Sequence, residues 1–148
     1  MDFQKAIIEI LGIQGVVIET MHIHPKSRKL RIVARQKRES CFCTGCGLQF
    51  DSVKEWQKKE LKAPPMGVYA DVKVLLHQLR GNCHDCARSE VAELAWIHPE
   101  FKSMTCGFAE VAGRLMEEIT CEAVSRILFT DSNTMWRGDQ WRMAYMAK

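Results

Sequence analysis

The sequence predicts an α+β fold: a small antiparallel β-module over residues 1–100, then a three-helix module over residues 101–148. Three observations carry that expectation. Apolar residues alternate with a period of two through successive stretches between Gly15 and Asn82. Two Cys-x-x-Cys pairs, Cys43/Cys46 and Cys83/Cys86, sit in turn-like sequence where those stretches end. After Pro99 the period changes to a helical one, with Phe108, Val111, Ala112, Leu115, Met116 and Ile119 on one face.

Taken in order, FQKAIIEILG reads as a short amphipathic helix with Ile7, Ile8 and Leu11 on one side, ended by Gly12 or Gly15. GVVIETMHI, the turn-like HPKSRK and KLRIVARQ read as a β-hairpin, with Leu30 and Ile32 marking the alternation. SVKEWQKKELK is a third alternating stretch, broken by APPMG. VYADVKVLLHQLRG is a fourth, through Val68, Ala70, Val72 and Val74. Thr120 is placed to cap a second helix carrying Ala123, Val124, Ile127 and Leu128 inward. FTDSN breaks the pattern, and SNTMWRGDQWRMAYM resumes it, with Gly138 costing about 1 kcal/mol of helix propensity.

At 148 residues with 47 % hydrophobic and 26 % charged residues, the composition is that of an ordinary globular chain. The most apolar segment, AIIEILGIQGVVI, is interrupted by Glu9, Gly12 and Gln14, too short and too polar for a membrane span or a signal peptide. A cytoplasmic chain is expected. In a reducing compartment seven cysteines do not form a disulfide framework. Two Cys-x-x-Cys turns instead supply the four thiolates that one tetrahedral zinc ion takes, with no position left open. Cys43, Cys46, Cys83 and Cys86 are therefore the expected ligands of a structural Zn2+, and Gly45, Gly47, Gly81 and Asn82 ease the flanking turns. The gap of 36 residues between Cys46 and Cys83 suits a zinc ribbon with strands inserted between its knuckles. A thioredoxin-like redox role needs a single such pair opening a helix after a buried strand, and neither pair here has that setting. Cys41 and His84 are the alternative ligands, otherwise a spare thiol and a solvent-facing histidine. Cys106 and Cys121 read as core residues. His22 and His24 read as a surface pair, and the methionines and tryptophans as packing.

A closed four-thiolate site performs no catalysis, and no nucleophile motif, phosphate loop or dinucleotide fingerprint accompanies it. The chain is not expected to be an enzyme. Helix, short helix, tight break and a helix opening with small polar residues is the helix-turn-helix layout, whose last helix meets base edges in the major groove. Ser132, Asn133, Thr134 and Arg137 are the candidate base readers on a helix over 132–142. Charge is distributed differently. Residues 21–62 carry eleven Lys or Arg against four Asp or Glu, whereas residues 103–148 carry five against six. Phosphate contact needs cations. The expected backbone-binding set is therefore Lys26, Arg28, Lys29, Arg31, Arg35, Lys37, Arg38, Lys54, Lys58 and Lys59, with Lys62 next to them.

LGIQGVVIE, the two knuckles separated by sheet, the Trp-Ile-His-Pro segment, Met104-Thr105 before a helix and EAVSRILFTDSNTMWR together resemble the N-terminal region of ISL-three-type insertion-sequence transposases. The resemblance spans nearly the whole chain. It implies zinc on the four named cysteines and a 132–142 helix that reads double-stranded DNA at terminal inverted repeats, ahead of a catalytic domain with an RNase-H-like fold. Phe129 stands in the turn where many relatives have a small residue. The sequence ends at Lys148, about where that catalytic domain would begin, so the chain is expected not to cut or join DNA by itself. The expected partner is duplex DNA, with the protein on the bacterial nucleoid when bound, as a monomer or weak homodimer. The other reading is a zinc-ribbon adaptor that docks on another protein, either transcription machinery or a full-length transposase.

Overall fold

The computed structural model describes residues 3–130 together with Met135, Arg137 and Gln140. Helix α1 (Phe3–Leu11) leads through Gly12, at φ +68°, into the hairpin β1 (Val16–His24) and β2 (Lys29–Gln36). A single 3-10 turn (Arg38–Ser40) and the first knuckle precede β3 (Ser52–Ala63). Then come β4 (Asp71–Cys83) and β5 (Arg88–Val91), joined by the second knuckle. Helices α2 (Cys106–Met116) and α3 (Cys121–Ile127) follow. Val68 and Ala70, expected in a strand, precede β4, and Val68 is exposed.

The sheet is mixed, which corrects the expectation of a purely antiparallel module. Its strand order is β1-β2-β4-β3, with β5 beside the far end of β4. β2 and β4 pair in parallel, Lys29 opposite Asp71 through Arg35 opposite His77. The reason is the site itself. The first knuckle follows β2 and the second follows β4, so both strands must run toward one point to bring the four cysteines together. Alternation cannot show this, because the same pattern serves either direction.

One face of the sheet carries Leu30, Ile32, Leu61, Val72, Val74 and Leu76 and packs on Ile7 and Leu11 of α1. Truncating a side chain as enclosed as Leu11 (2 % exposed) to alanine costs about 2–5 kcal/mol. A second cluster, around Phe50, Leu79 and Ala92, lies beneath the knuckles. There the ring of Phe50 occupies the space above Gly81, where a Cβ would come within 2.5 Å of it. A third, around Met104, Phe108, Val124, Leu128 and Met135, belongs to the helices. Where β2 gives way to β5 along β4, the buried side chain of Gln36 spans the break. Its Oε1 accepts from Leu79 N–H at 2.9 Å and its Nε2 donates to Ala92 O at 3.2 Å.

The helices attach to the sheet end opposite the cysteines. Lys62 N–H donates to Ser103 O, and Thr105 N–H to Lys62 O, each at 2.9 Å. Thr105 then caps α2, accepting from Phe108 N–H at 3.0 Å, and Thr120 caps α3 through Ala123 N–H at 3.1 Å. The Trp-Ile-His-Pro segment forms the corner. Trp96 Nε1 donates to Gln14 O at 2.7 Å, and the fully buried His98 accepts at Nδ1 from the amides of Glu100 and Phe101. α3 ends in a Schellman turn, Thr130 N–H donating to Ser125 O at 2.9 Å, with Phe129 at φ +54° in the position that glycine favours. Lys62 Nζ donates to the carbonyls of Leu128 and Phe129 and lies 3.6 Å from Asp71 Oδ1. Arg31 holds the other carboxylate oxygen at 3.1 Å. Burial opposes the charge on Asp71, but the Arg31 hydrogen bond and the Lys62 and Arg31 charges outweigh it and hold the carboxyl below its usual range.

Lys62→Met is expected to destabilise the chain by about 1–3 kcal/mol, since it leaves two carbonyls and a buried carboxylate short of a donor. Phe129→Gly, which relieves the left-handed conformation of an exposed residue, should raise stability by about 1 kcal/mol. Denaturant unfolding measures both, and equal midpoints for Lys62→Met and wild type would refute the anchoring role. Burial depresses the pKa of His98 below the ordinary 6.5, with Glu100 opposing. The folded imidazole thus binds its proton less tightly than the unfolded one. Its contribution is full above that ordinary value and declines as pH falls toward the lower folded one. His98→Asn, which retains an acceptor for the two amides, should flatten the stability-pH curve as the pH falls below about 6.5.

Candidate metal centre

Knuckle one (Cys43-Thr44-Gly45-Cys46-Gly47) and knuckle two (Cys83-His84-Asp85-Cys86-Ala87) are built alike. In the first, Gly47 N–H donates to Cys43 O at 2.8 Å, and in the second Ala87 N–H donates to His84 O at 3.4 Å. In both, the residue after the second cysteine is left-handed, Gly47 at φ +76° and Ala87 at φ +51°. Cys43 N–H also donates to Leu48 O at 2.8 Å, which closes the loop that carries the first pair. The knuckle is fastened across to β5 by Glu90, whose carboxylate accepts from Thr44 N–H at 2.7 Å and from its hydroxyl at 2.9 Å.

The Sγ atoms of Cys43, Cys46, Cys83 and Cys86 all lie within 4.8 Å of one another, with Cys46 and Cys83 at 3.5 Å. All four are free of disulfides. Tetrahedral coordination at a metal–sulfur distance of about 2.3 Å places thiolates about 3.8 Å apart, so this arrangement fits one ion. The closeness leaves little room at Gly45. A Cβ there would meet Cys86 Sγ at 3.1 Å and Arg88 Nη1 at 3.2 Å. The backbone amide of Cys46, and then that of Gly45, favours the thiolate of Cys43 and lowers its pKa. Cys86 faces the other sulfurs, Cys46 first, and is pushed up to about 12. At Cys83 the Cys86 amide favours the thiolate, but burial and the sulfurs of Cys46 and Cys43 together outweigh it and raise the pKa. Four sulfurs this close compete for charge, and a divalent cation is the group that allows all of them to ionise.

The alternative ligands stand apart. Cys41 is buried, donates from Sγ to Lys37 O at 3.1 Å, and is held up to about 11 by burial and the charge of Glu39. It is a neutral packing thiol. His84 is exposed. Cys106 and Cys121, expected in the core, are half-buried.

Of the cations expected to meet DNA, Lys26, Arg28, Lys29, Lys37, Lys54 and Lys58 are exposed. Lys26, Arg28 and Lys29 sit at the hairpin turn, which lies at the same sheet end as Lys62 and Ser103, because Lys29 is opposite Asp71 on β4. Arg35 is exposed, lies 5.6 Å from the ring of Trp56 and pairs with Glu19 at 3.5 Å. Arg38 donates to Asp51 O at 2.8 Å. Lys59 is half-buried. Arg31 and Lys62 are engaged with Asp71, an acceptor whose role the sequence reading missed; the only signal was an acid within a basic, alternating strand. Ser132, Asn133 and Thr134 lie outside the described residues. Arg137 is helical and exposed, whereas Met135, two residues before it, is buried in the helical core.

Cys43→Ser is expected to abolish binding of the ion and to unfold the knuckle end, read as metal content per chain and loss of dispersed amide resonances for Phe50 and Leu79. Gly45→Ala should keep the fold and weaken metal affinity, measured by competition with a chelator. Unchanged affinity would mean that the close approach to Cys86 has no energetic consequence.

No family model matches the chain, and no curated protein or solved structure matches it either.

Proposed function

We propose that the chain is a zinc-stabilised, sequence-specific binder of double-stranded DNA, resembling the end-recognition part of a transposase. Four converging thiolates support zinc over the other divalent ions, because soft sulfur donors in a closed tetrahedron suit it. The observation that carries the DNA reading is the sharing of one sheet end. The exposed cations of the hairpin turn and the capped helices α2 and α3 are both located there, with the cysteine centre at the other end of β2 and β4. The metal then serves as a fold support remote from the DNA. The hairpin positions the backbone, and the helix that includes Arg137 reads bases.

A second reading, a zinc-ribbon adaptor for another protein, is favoured by Phe42 and Leu48. They stand about half exposed, at 53 % and 55 %, beside the first knuckle.

The discriminating experiment is selection of the zinc-loaded protein on random duplexes, followed by affinity against salt. One enriched sequence is expected, with a salt slope that falls by about two to three when Lys26, Arg28 and Lys29 are all changed to Gln. Unselective binding that disappears at physiological salt would reject the DNA reading and leave the adaptor, whose docking Phe42→Ser and Leu48→Ser would then weaken.

A further inference from the structure

The exposed edge of β3 bears a second feature. At Lys62 its outward N–H and C=O bond to Ser103 and Thr105. The two-residue period of the strand directs the N–H groups of Glu60 and Lys58 to the same side. Beside this edge lies a polar cleft of about 360 Å³, lined by Gln57, Lys58, Lys59, Gln78, Glu93 and Lys102 together with Val91. Lys59 and Lys102 bring two ammonium groups to it against the single carboxylate of Glu93. That carboxylate is a loose partner. Glu93 Oε1 stands 3.9 Å from Lys102 Nζ, and both side chains are more than half exposed. Lys59 is half-buried on the cleft wall, where burial and then the nearby charge of Lys102 work against its ammonium form. Two like charges held together beside an outward-facing strand amide are relieved by an oxyanion.

We propose that this cleft seats one phosphate of the nucleic-acid backbone, with Lys59 and Lys102 as its charge partners and the Lys58 amide as a further donor. The inference rests on the DNA reading and deepens it. It adds Lys102, which lies outside the basic stretch of the hairpin and first knuckle, one residue before the strand-like contact of Ser103 with β3. A phosphate held there has a fixed position relative to α2, whose N-cap, Thr105, lies three residues after Lys102. The seat thereby sets the register between backbone grip and helix placement.

The test uses the full zinc-loaded chain labelled with nitrogen-15, as wild type, Lys102→Gln and Glu93→Gln. Each is titrated with inorganic phosphate, then with the selected duplex at several salt concentrations. In the wild type, phosphate should shift the amides of Lys58, Lys59 and Lys102 saturably. Lys102→Gln should weaken that binding at least tenfold and reduce the salt slope for DNA by about one, without changing the preferred sequence. Glu93→Gln should tighten phosphate several-fold, an effect that a merely unfolded variant cannot imitate. Shifts that are absent, or spread evenly over surface lysines, overturn the seat even where the duplex binds tightly. Saturable shifts in a chain that binds no duplex overturn the DNA reading, and with it the nucleic acid as the source of the phosphate.

Discussion

The hydrogen-bonded ladder of β4 is the constraint on which the other elements depend. This strand pairs with β2 along one side, with β5 beyond it, and with β3 along the whole of the other. Its N-terminal residue, Asp71, is the buried acceptor for Arg31 and Lys62, and its C-terminal residue, Cys83, is a ligand of the candidate metal centre. A strand of 13 residues, rising about 3.3 Å per residue, keeps the two polar centres well apart. Each secures one end of the sheet. At both, the local electrostatics would be unfavourable without the partners that the neighbouring strands bring.

The two centres solve the same problem with opposite charge. At the knuckles, four sulfurs crowd together and need a cation. At Asp71, a carboxylate taken out of water is stabilised by a guanidinium and an ammonium. Four sulfur donors around one ion leave no position open for a substrate, which is why the proposed role of the first is support. The second couples sheet and helices, because the ammonium that holds Asp71 also holds the carbonyls of Leu128 and Phe129 just beyond α3. A cation at a helix C-terminus is favourable in itself, and here the same group answers the helix and the carboxylate together.

This use of charge changes the meaning of the basic stretch from Lys26 to Lys62. A count of eleven cations treats them alike, yet Arg31 and Lys62 hold the molecule together and Lys73 pairs with Glu60 at 2.9 Å nearby. The hairpin turn and the edge of β3 keep exposed ammonium groups. On an edge strand such groups also discourage unwanted pairing with another sheet, so Lys54 and Lys58 have a physical use whatever the ligand. The left-handed Phe129 belongs to the same economy of anchoring. Its own carbonyl and that of Leu128 face Lys62, so the turn keeps a strained residue within a well-held junction.

Much of the local structure was legible in the sequence. The period of two in KLRIVARQ and SVKEWQKKELK, the helical period after Phe108, the cap at Thr120 and the two Cys-x-x-Cys turns are all set by neighbours a few residues away. Such signals depend on backbone geometry and are visible without a fold. What only the tertiary structure decided depends on residues far apart in the chain. The parallel pairing of β2 with β4, the bridging amide of Gln36, the buried ion pairs of Asp71 and the cleft between Lys59 and Lys102 are of this kind. Alternation is blind to strand direction, and the meaning of a charge is fixed by what lies opposite it once the chain has folded.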